Sequence, residues 1–154
     1  MKWTLCAMLL ASLAQAAPVV IWATDPVGPG QTVIVTGDGF GAKPAVELTR
    51  LPDDPAAEPS DAPVKWPATV ARPDVLQASD TSLKFVVPAT SKPGVYAYRL
   101  NDTAVGLLNR PRIHWLQGDD GVQARPGGRL DLFGVNLGGD GAIVRLQGAQ
   151  TRRL

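Results

Sequence analysis

Histidine occurs once in the 154 residues, as His114, and cysteine once, as Cys6. A Ser or Cys nucleophile needs a base held in place by a third group, and the chain has no G-x-S-x-G elbow to build around. A zinc site needs three or four nitrogen or sulphur ligands, which one His and one Cys cannot supply. His114 stands beside Trp115 at the start of an apolar stretch, where it reads as a partly buried structural residue. Carboxylates are the remaining chemistry. Asp53-Asp54 and Asp119-Asp120-Gly121 are paired in loops, and Asp119 and Asp120 are the better candidates for Ca²⁺, a hard ion that takes six to eight oxygens. Neither pair has the spaced D-x-D-x-D pattern, and acidic loop tips are ordinarily just solvated. Gly37-x-Gly39-x-x-Ala42 matches the dinucleotide fingerprint, with Asp54 downstream as a ribose partner. That mechanism requires the glycines to open a helix whose N-terminus holds the pyrophosphate. Pro44 and a strand-like run follow instead, so the glycines read as a turn. The expectation is no catalytic residue, no cofactor and no enzyme activity.

Aromatic side chains offer binding chemistry, because sugar rings stack their C–H faces on exposed indoles. Trp22, Trp66 and Trp115 follow the first strongly apolar run of the chain. Trp22 and Trp115 sit at matching points of an internal repeat, which favours packing roles. Trp66 lies in a Pro-rich stretch and is the candidate carbohydrate-binding residue. Asn101-Asp102-Thr103 has the pattern of a glycosylation sequon.

The elements that would position these residues are short strands. Met1-Lys2, the apolar run Leu5–Leu13 and Ala14-Gln15-Ala16 form a signal peptide over residues 1–16, cleaved before Ala17. That run is too short for a spanning helix, so no membrane span is expected, and Cys6 leaves with the signal. Of 15 basic residues, removal of Lys2 leaves 14, against 14 acidic ones. Zero net charge gives no footprint for nucleic acid. Beyond residue 16, 16 glycines and 14 prolines punctuate the chain and leave helices almost no room. Thr32–Thr36 is β-branched throughout, and Ala45–Leu48, Leu83–Val87 and Tyr96–Leu100 alternate apolar with other residues, the pattern of antiparallel sheets packed on one side. The fold class is all-β.

Pro29–Gly41 lines up with Pro126–Gly138. Each copy has a Pro-Gly turn, an alternating strand and a turn in which Gly39 or Asn136 takes the position open to left-handed torsions. An apolar-Trp or His-Trp pair, Ile21-Trp22 and His114-Trp115, precedes each. Pro29-Gly30 through Phe40, then Asp80-Thr81-Ser82-Leu83-Lys84-Phe85-Val86-Val87-Pro88, then Pro93-Gly94-Val95-Tyr96, resembles the IPT/TIG family of Ig-like domains. The resemblance implies an Ig-like β-sandwich of the E-set type over residues 17–109, interrupted by a Pro-rich surface loop from Leu51 to Pro67. Only the opening half recurs in residues 110–154, which read as a partial second β module whose Leu130, Leu132, Val144 and Leu146 lack covering strands. The alternative is that residues 112–154 add strands to the first module.

The family resemblance implies a non-catalytic accessory or spacer module of a secreted (extracellular or periplasmic) multidomain protein. Its expected partners are an extracellular polysaccharide or protein, and downstream domains of a longer chain. Trp115–Gly121 with Pro126-Gly127-Gly128 is also similar to the region preceding a pectate-lyase-type β-helix, which would attach the module to a polysaccharide-acting enzyme. Competing readings are a tandem-repeat adhesion or envelope protein and a carbohydrate-binding module.

Overall fold

The computed structural model describes residues 17–53, 63–138, 143 and 144. The expected signal peptide, Asp54 and Leu146 lie outside them. The described chain is all-β, with nine antiparallel strands and no helix.

β1 (Val19–Ala23), β2 (Thr32–Asp38), β4 (Val75–Ala78) and β5 (Ser82–Val86) form one sheet in the order β1-β2-β5-β4. β3 (Val46–Arg50), β6 (Tyr96–Leu100) and β7 (Ala104–Leu108) form a second in the order β3-β6-β7. Side chains alternate across a strand, so β2 and β5 send Val33, Val35, Leu83 and Phe85 inward, where they meet Val46, Leu48, Tyr96, Tyr98, Leu100 and Leu108 in one buried cluster. Phe85 and Tyr98 meet across it with ring centroids 5.8 Å apart. Each such side chain, taken wholly out of water, contributes about 1.5–3 kcal/mol. Gly106 makes room for the Tyr98 ring: a Cβ there would fall 2.3 Å from it.

The two halves of the sequence motif are tied to each other directly. The Gly30 amide donates to the Val87 carbonyl, the Gly37 amide to Thr81 and the Phe40 amide to Asp80, at 2.8, 3.0 and 3.0 Å. The Asp80 carboxylate also accepts from the Gly41 amide. The opening Pro-Gly and G-x-x-F turns therefore depend on the D-T-x-L-x-F-x-V-P segment for backbone partners, and an unpaired backbone group would be costly.

The second sheet departs from the expected one-sided packing. Glu47 and Ala97, on its outer face, are buried too. The chain leaving the Pro-rich stretch accounts for Glu47. It returns along the β3 edge, where Leu48 and Ala71 exchange backbone hydrogen bonds at 2.8 and 2.9 Å, and Arg72 approaches the Glu47 carboxylate. This segment also covers an otherwise open sheet edge.

β8 (Arg112–Gly118) and β9 (Leu130–Val135) pair with each other and with neither of the other sheets.

Candidate functional site

Three surfaces bring together the residues singled out by the sequence. The first lies on the outer face of β3 and β6. Glu47 and Arg99 face each other across the strand pair, and Arg99 Nε donates to Glu47 Oε2 at 2.5 Å. The Arg99 guanidinium lies 4.7 Å from the centre of the Trp66 ring. Trp66 is thus half-buried, with one face against a cation, rather than the freely exposed aromatic that its loop position suggested. Stacking on an arginine contributes about 0.5–1 kcal/mol at a surface site. The hydrogen bond from Arg99 holds the Glu47 carboxyl below its ordinary range; the charges of Arg99 and Arg72 and an Arg72 hydrogen bond add to this, against an opposing push from burial. The cluster pins a strap to a sheet.

The second surface is the loop joining β8 to β9. Both Asp119 oxygens accept from the Arg129 amide, at 2.9 and 3.1 Å. A Cβ on Gly128 would collide with the same carboxylate. Asp120 instead pairs with Arg125 at 3.3 Å. The two calcium candidates therefore serve different partners: Asp119 caps the loop and Asp120 makes an exposed ion pair. No group of three or more His, Cys, Asp or Glu converges among the described residues.

The third is the β8–β9 hairpin, which has a counterpart in β1–β2. β1 pairs with β2 through Val20↔Gly37 and Trp22↔Thr36, with a bulge between Val20 and Trp22. β8 pairs with β9 through Ile113↔Gly134 and Trp115↔Phe133, with a bulge between Ile113 and Trp115. Under the alignment of Pro29 with Pro126, Gly37 matches Gly134 and Thr36 matches Phe133. Gly39 and Asn136, also matched, have φ of 74° and 58°, and Gly30 and Gly127 have φ of 76° and 80°. The sequence repeat is one bulged hairpin built twice. Trp22 and Trp115 are 54% and 56% exposed, so of the two packing roles the repeat suggested, a shared core and contact between modules, the first does not hold. His114, at the second bulge, is exposed and not partly buried.

No family model, curated protein or solved structure matches the chain.

The remaining motifs resolve into structure. Gly37 ends up in β2, and Gly39–Ala42 leave the strand toward β3 with no helix to hold a phosphate. Asn101 of the sequon is engaged at both ends: its Oδ1 accepts from the Ala45 amide at 2.9 Å and its Nδ2 donates to the Phe40 carbonyl at 3.4 Å. A glycan on that nitrogen would displace the second bond. A surface depression of about 460 Å³, lined by Phe40, Lys43, Asn101 and Thr103 among others, adjoins it. Among the described residues no helix is long and apolar enough to cross a membrane.

Sequence reasoning missed the junction between the two hairpins. Asn109, with φ of 63°, accepts from the Val27 amide at 2.8 Å and donates to the Val27 and Gly94 carbonyls at 2.6 and 2.9 Å. Asp25 Oδ1 accepts from the Asn109 amide at 2.9 Å and from Asn136 Nδ2 at 3.0 Å. The signal available was residue type alone, since Asn is one of the few residues that tolerate left-handed torsions.

Proposed function

We propose that the chain is a secreted, non-catalytic protein built of Ig-like modules of the IPT/TIG type. Residues 17–109 are one module and residues 110–154 open a second. It acts as an accessory or spacer unit of a multidomain protein, with a polysaccharide-acting enzyme as the context favoured by the Trp115–Gly121 resemblance. The observation that carries this reading is the bulged hairpin built twice, since repeated units in series are how such proteins set distance and orientation. Strand orders β1-β2-β5-β4 and β3-β6-β7 support the Ig assignment, because they match the A-B-E-D and C-F-G sheets of a seven-stranded Ig domain. So does Tyr96, whose hydroxyl donates to the Lys92 carbonyl at 2.5 Å, as the tyrosine of an Ig corner bonds to backbone a few residues upstream.

The test is to incubate the protein, exported and purified, with pectin, xylan, cellulose and chitin. The expected result is an N-terminus at Ala17 and no turnover of any of them. Turnover abolished by His114→Ala would overturn the reading.

A carbohydrate-binding role is the second reading, and Trp115 and Phe133 favour it. They are opposite each other in register, both exposed, and Gln117 and Asp131 continue the same face. If glycan binds here, Trp115→Ala lowers the affinity and Trp66→Ala does not.

A further inference from the structure

Asn109, Arg110 and Pro111 are all that lies between the end of β7 and the start of β8. A tether rich in glycine and serine would let the two parts tumble apart, and this segment has neither residue. Proline fixes its own φ and restricts the residue before it, so Pro111 stiffens Arg110 as well. Asn109 is held by four hydrogen bonds, its side chain on Val27 and Gly94 and its amide on Asp25. The connection therefore leaves the first unit in a defined direction.

A second contact reaches past the connection. Asn136, in the turn that follows β9, donates from Nδ2 to Asp25 Oδ1 at 3.0 Å and to the Arg110 carbonyl at 3.3 Å. Its amide thus reaches the loop after β1 and the connecting segment together. The same Asp25 oxygen accepts from the Asn109 amide at 2.9 Å. One carboxylate oxygen of the first unit holds both the connection and the second hairpin, and hydrogen bonds to an ionised acceptor are stronger than neutral ones. Asn136 and Leu137 are half-buried, whereas Phe133, Gly134 and Val135 just before them are exposed.

The repeat shows what is particular to this contact. Asp38 matches Val135, and each pairs with the first residue of its partner strand, Val19 and Arg112. Pro18 and Pro111, one residue earlier, therefore take the same place in the two units. Gly39 and Asn136 are matched too, and both turns have left-handed φ, 74° and 58°. Glycine adopts that torsion at no steric cost, so the turn itself needs no side chain. The side chain at position 136 is what reaches Asp25.

We propose that the loop carrying Asp25 is the surface on which the first unit docks the second, through the turn at Asn136, and that the chain holds the two at a fixed angle. The proposal deepens the spacer reading and rests on β8–β9 opening a second unit. Relative motion is the default for units that share little surface. Here a stiff connection and a shared carboxylate do what a large interface does elsewhere.

The experiment uses the whole chain, weakly aligned in a liquid-crystalline medium, and reads backbone N–H residual dipolar couplings from β1–β7 and from β8–β9. One alignment tensor is expected to fit both sets in the unsubstituted protein. Asn136→Gly keeps a turn that Gly39 already makes and removes the side chain; Asp25→Ala removes the acceptor. Each is expected to lose the common tensor, with the β8–β9 couplings scaled down, while Trp115 and Phe133 remain cross-strand neighbours by nuclear Overhauser contact. Asp25→Asn, which keeps an acceptor oxygen, is expected to retain the common tensor. The double variant Asp25→Ala/Asn136→Gly should be no looser than either single one, because the two residues act through one contact. A common tensor that survives Asn136→Gly and Asp25→Ala overturns the inference, and so do separate tensors in the unsubstituted protein; both leave the second-module reading standing. Loss of the Trp115–Phe133 contact in Asn136→Gly overturns it as well, since the side chain would then serve its own hairpin. Amides of Val35 and Leu132 that lose protection together as urea is raised would overturn the reading and the inference alike, since the strands would then form one body.

Discussion

Gly37 and Gly134 stand at one and the same point of two hairpins. A Cβ built on either falls 1.9 Å from a carbonyl oxygen of the strand alongside, that of Val19 for Gly37 and of Arg112 for Gly134. Both bulges bring the neighbouring strand closer than any side chain tolerates, so glycine at this place follows from the bulge.

Substitution at these glycines should separate the two units. At Gly37 the added carbon also meets the Phe40 ring at 2.6 Å, so Gly37→Ala is expected to cost about 2 kcal/mol or more of the stability of the β1–β7 unit. Gly134→Ala should disrupt β8–β9 and leave that unit's urea midpoint where it was. Urea denaturation followed at Tyr98 and Trp115 by NMR checks this; an equal loss at both probes from Gly134→Ala would mean that the strands unfold as one body.

Asn109 closes the β1–β7 unit by holding Val27 and Gly94 from the end of β7. Asn109→Gly keeps the left-handed backbone and loses the side-chain bonds, a cost of about 1–3 kcal/mol for partners left unsatisfied. Asn109→Ala adds left-handed strain of about 1–2 kcal/mol. Urea midpoints are expected to fall from the unsubstituted chain to the glycine variant, and again from the glycine to the alanine variant. An alanine variant as stable as the glycine variant would show that the backbone rearranges.

The strands with strong alternation, β2, β5 and β6, are legible in the sequence because burial of every second residue is written in residue type. β7 is not, because Ala104-Val105-Gly106-Leu107-Leu108 has no alternation and carries a glycine whose reason, the Tyr98 ring, lies on another strand. The hairpin repeat is legible down to Gly39 and Asn136, since backbone torsion restricts residue type locally. Trp66 is the opposite case. Prolines announce an extended loop but not where it lands, and its partner Arg99 belongs to a strand 33 residues away that reads, on its own, as having a solvent-facing arginine. The exposure of Trp22 and Trp115 escapes sequence for the same reason: an indole favours burial, and only the bulge turns it out.

Burial pushes the Tyr98 hydroxyl up to about 12 from an ordinary 10.0. Burial also raises Tyr96, against the charge of Arg50. A raised acid favours the fold while it stays protonated, so this contribution is whole below pH 10 and is lost as pH climbs from 10 to 12. For Tyr98 the loss amounts to about 2–3 kcal/mol over two units. Tyr98→Phe should flatten that alkaline limb, leaving the part due to Tyr96. An unchanged slope of stability between pH 10 and 12 would place the titration elsewhere.

Glu47 sets the acid limit of the strap that carries Trp66. Its carboxyl is held below the ordinary value of 4.5, first by the Arg99 hydrogen bond. A lowered carboxylate stabilises the fold while ionised. Its contribution is therefore complete above pH 4.5 and is lost as pH falls through the lowered value in the folded protein. Protonation removes the charge that orients Arg99 across β3 and β6, and with it the cation over the Trp66 ring; it also removes the partner of Arg72, one residue beyond the Ala71 backbone pair. The strap should loosen before the core does, because Leu48 and Tyr98 are held by burial that pH does not touch. The expected observation is a shift of the Trp66 indole N–H resonance on acidification, at a pH where the Leu83 and Phe85 amides are still protected. Glu47→Gln should give the acid-side Trp66 signal already at neutral pH and remove its pH dependence. A Trp66 resonance that moves only when the core amides are lost would show that the strap and the sheet unfold together, and that Glu47 acts on global stability alone.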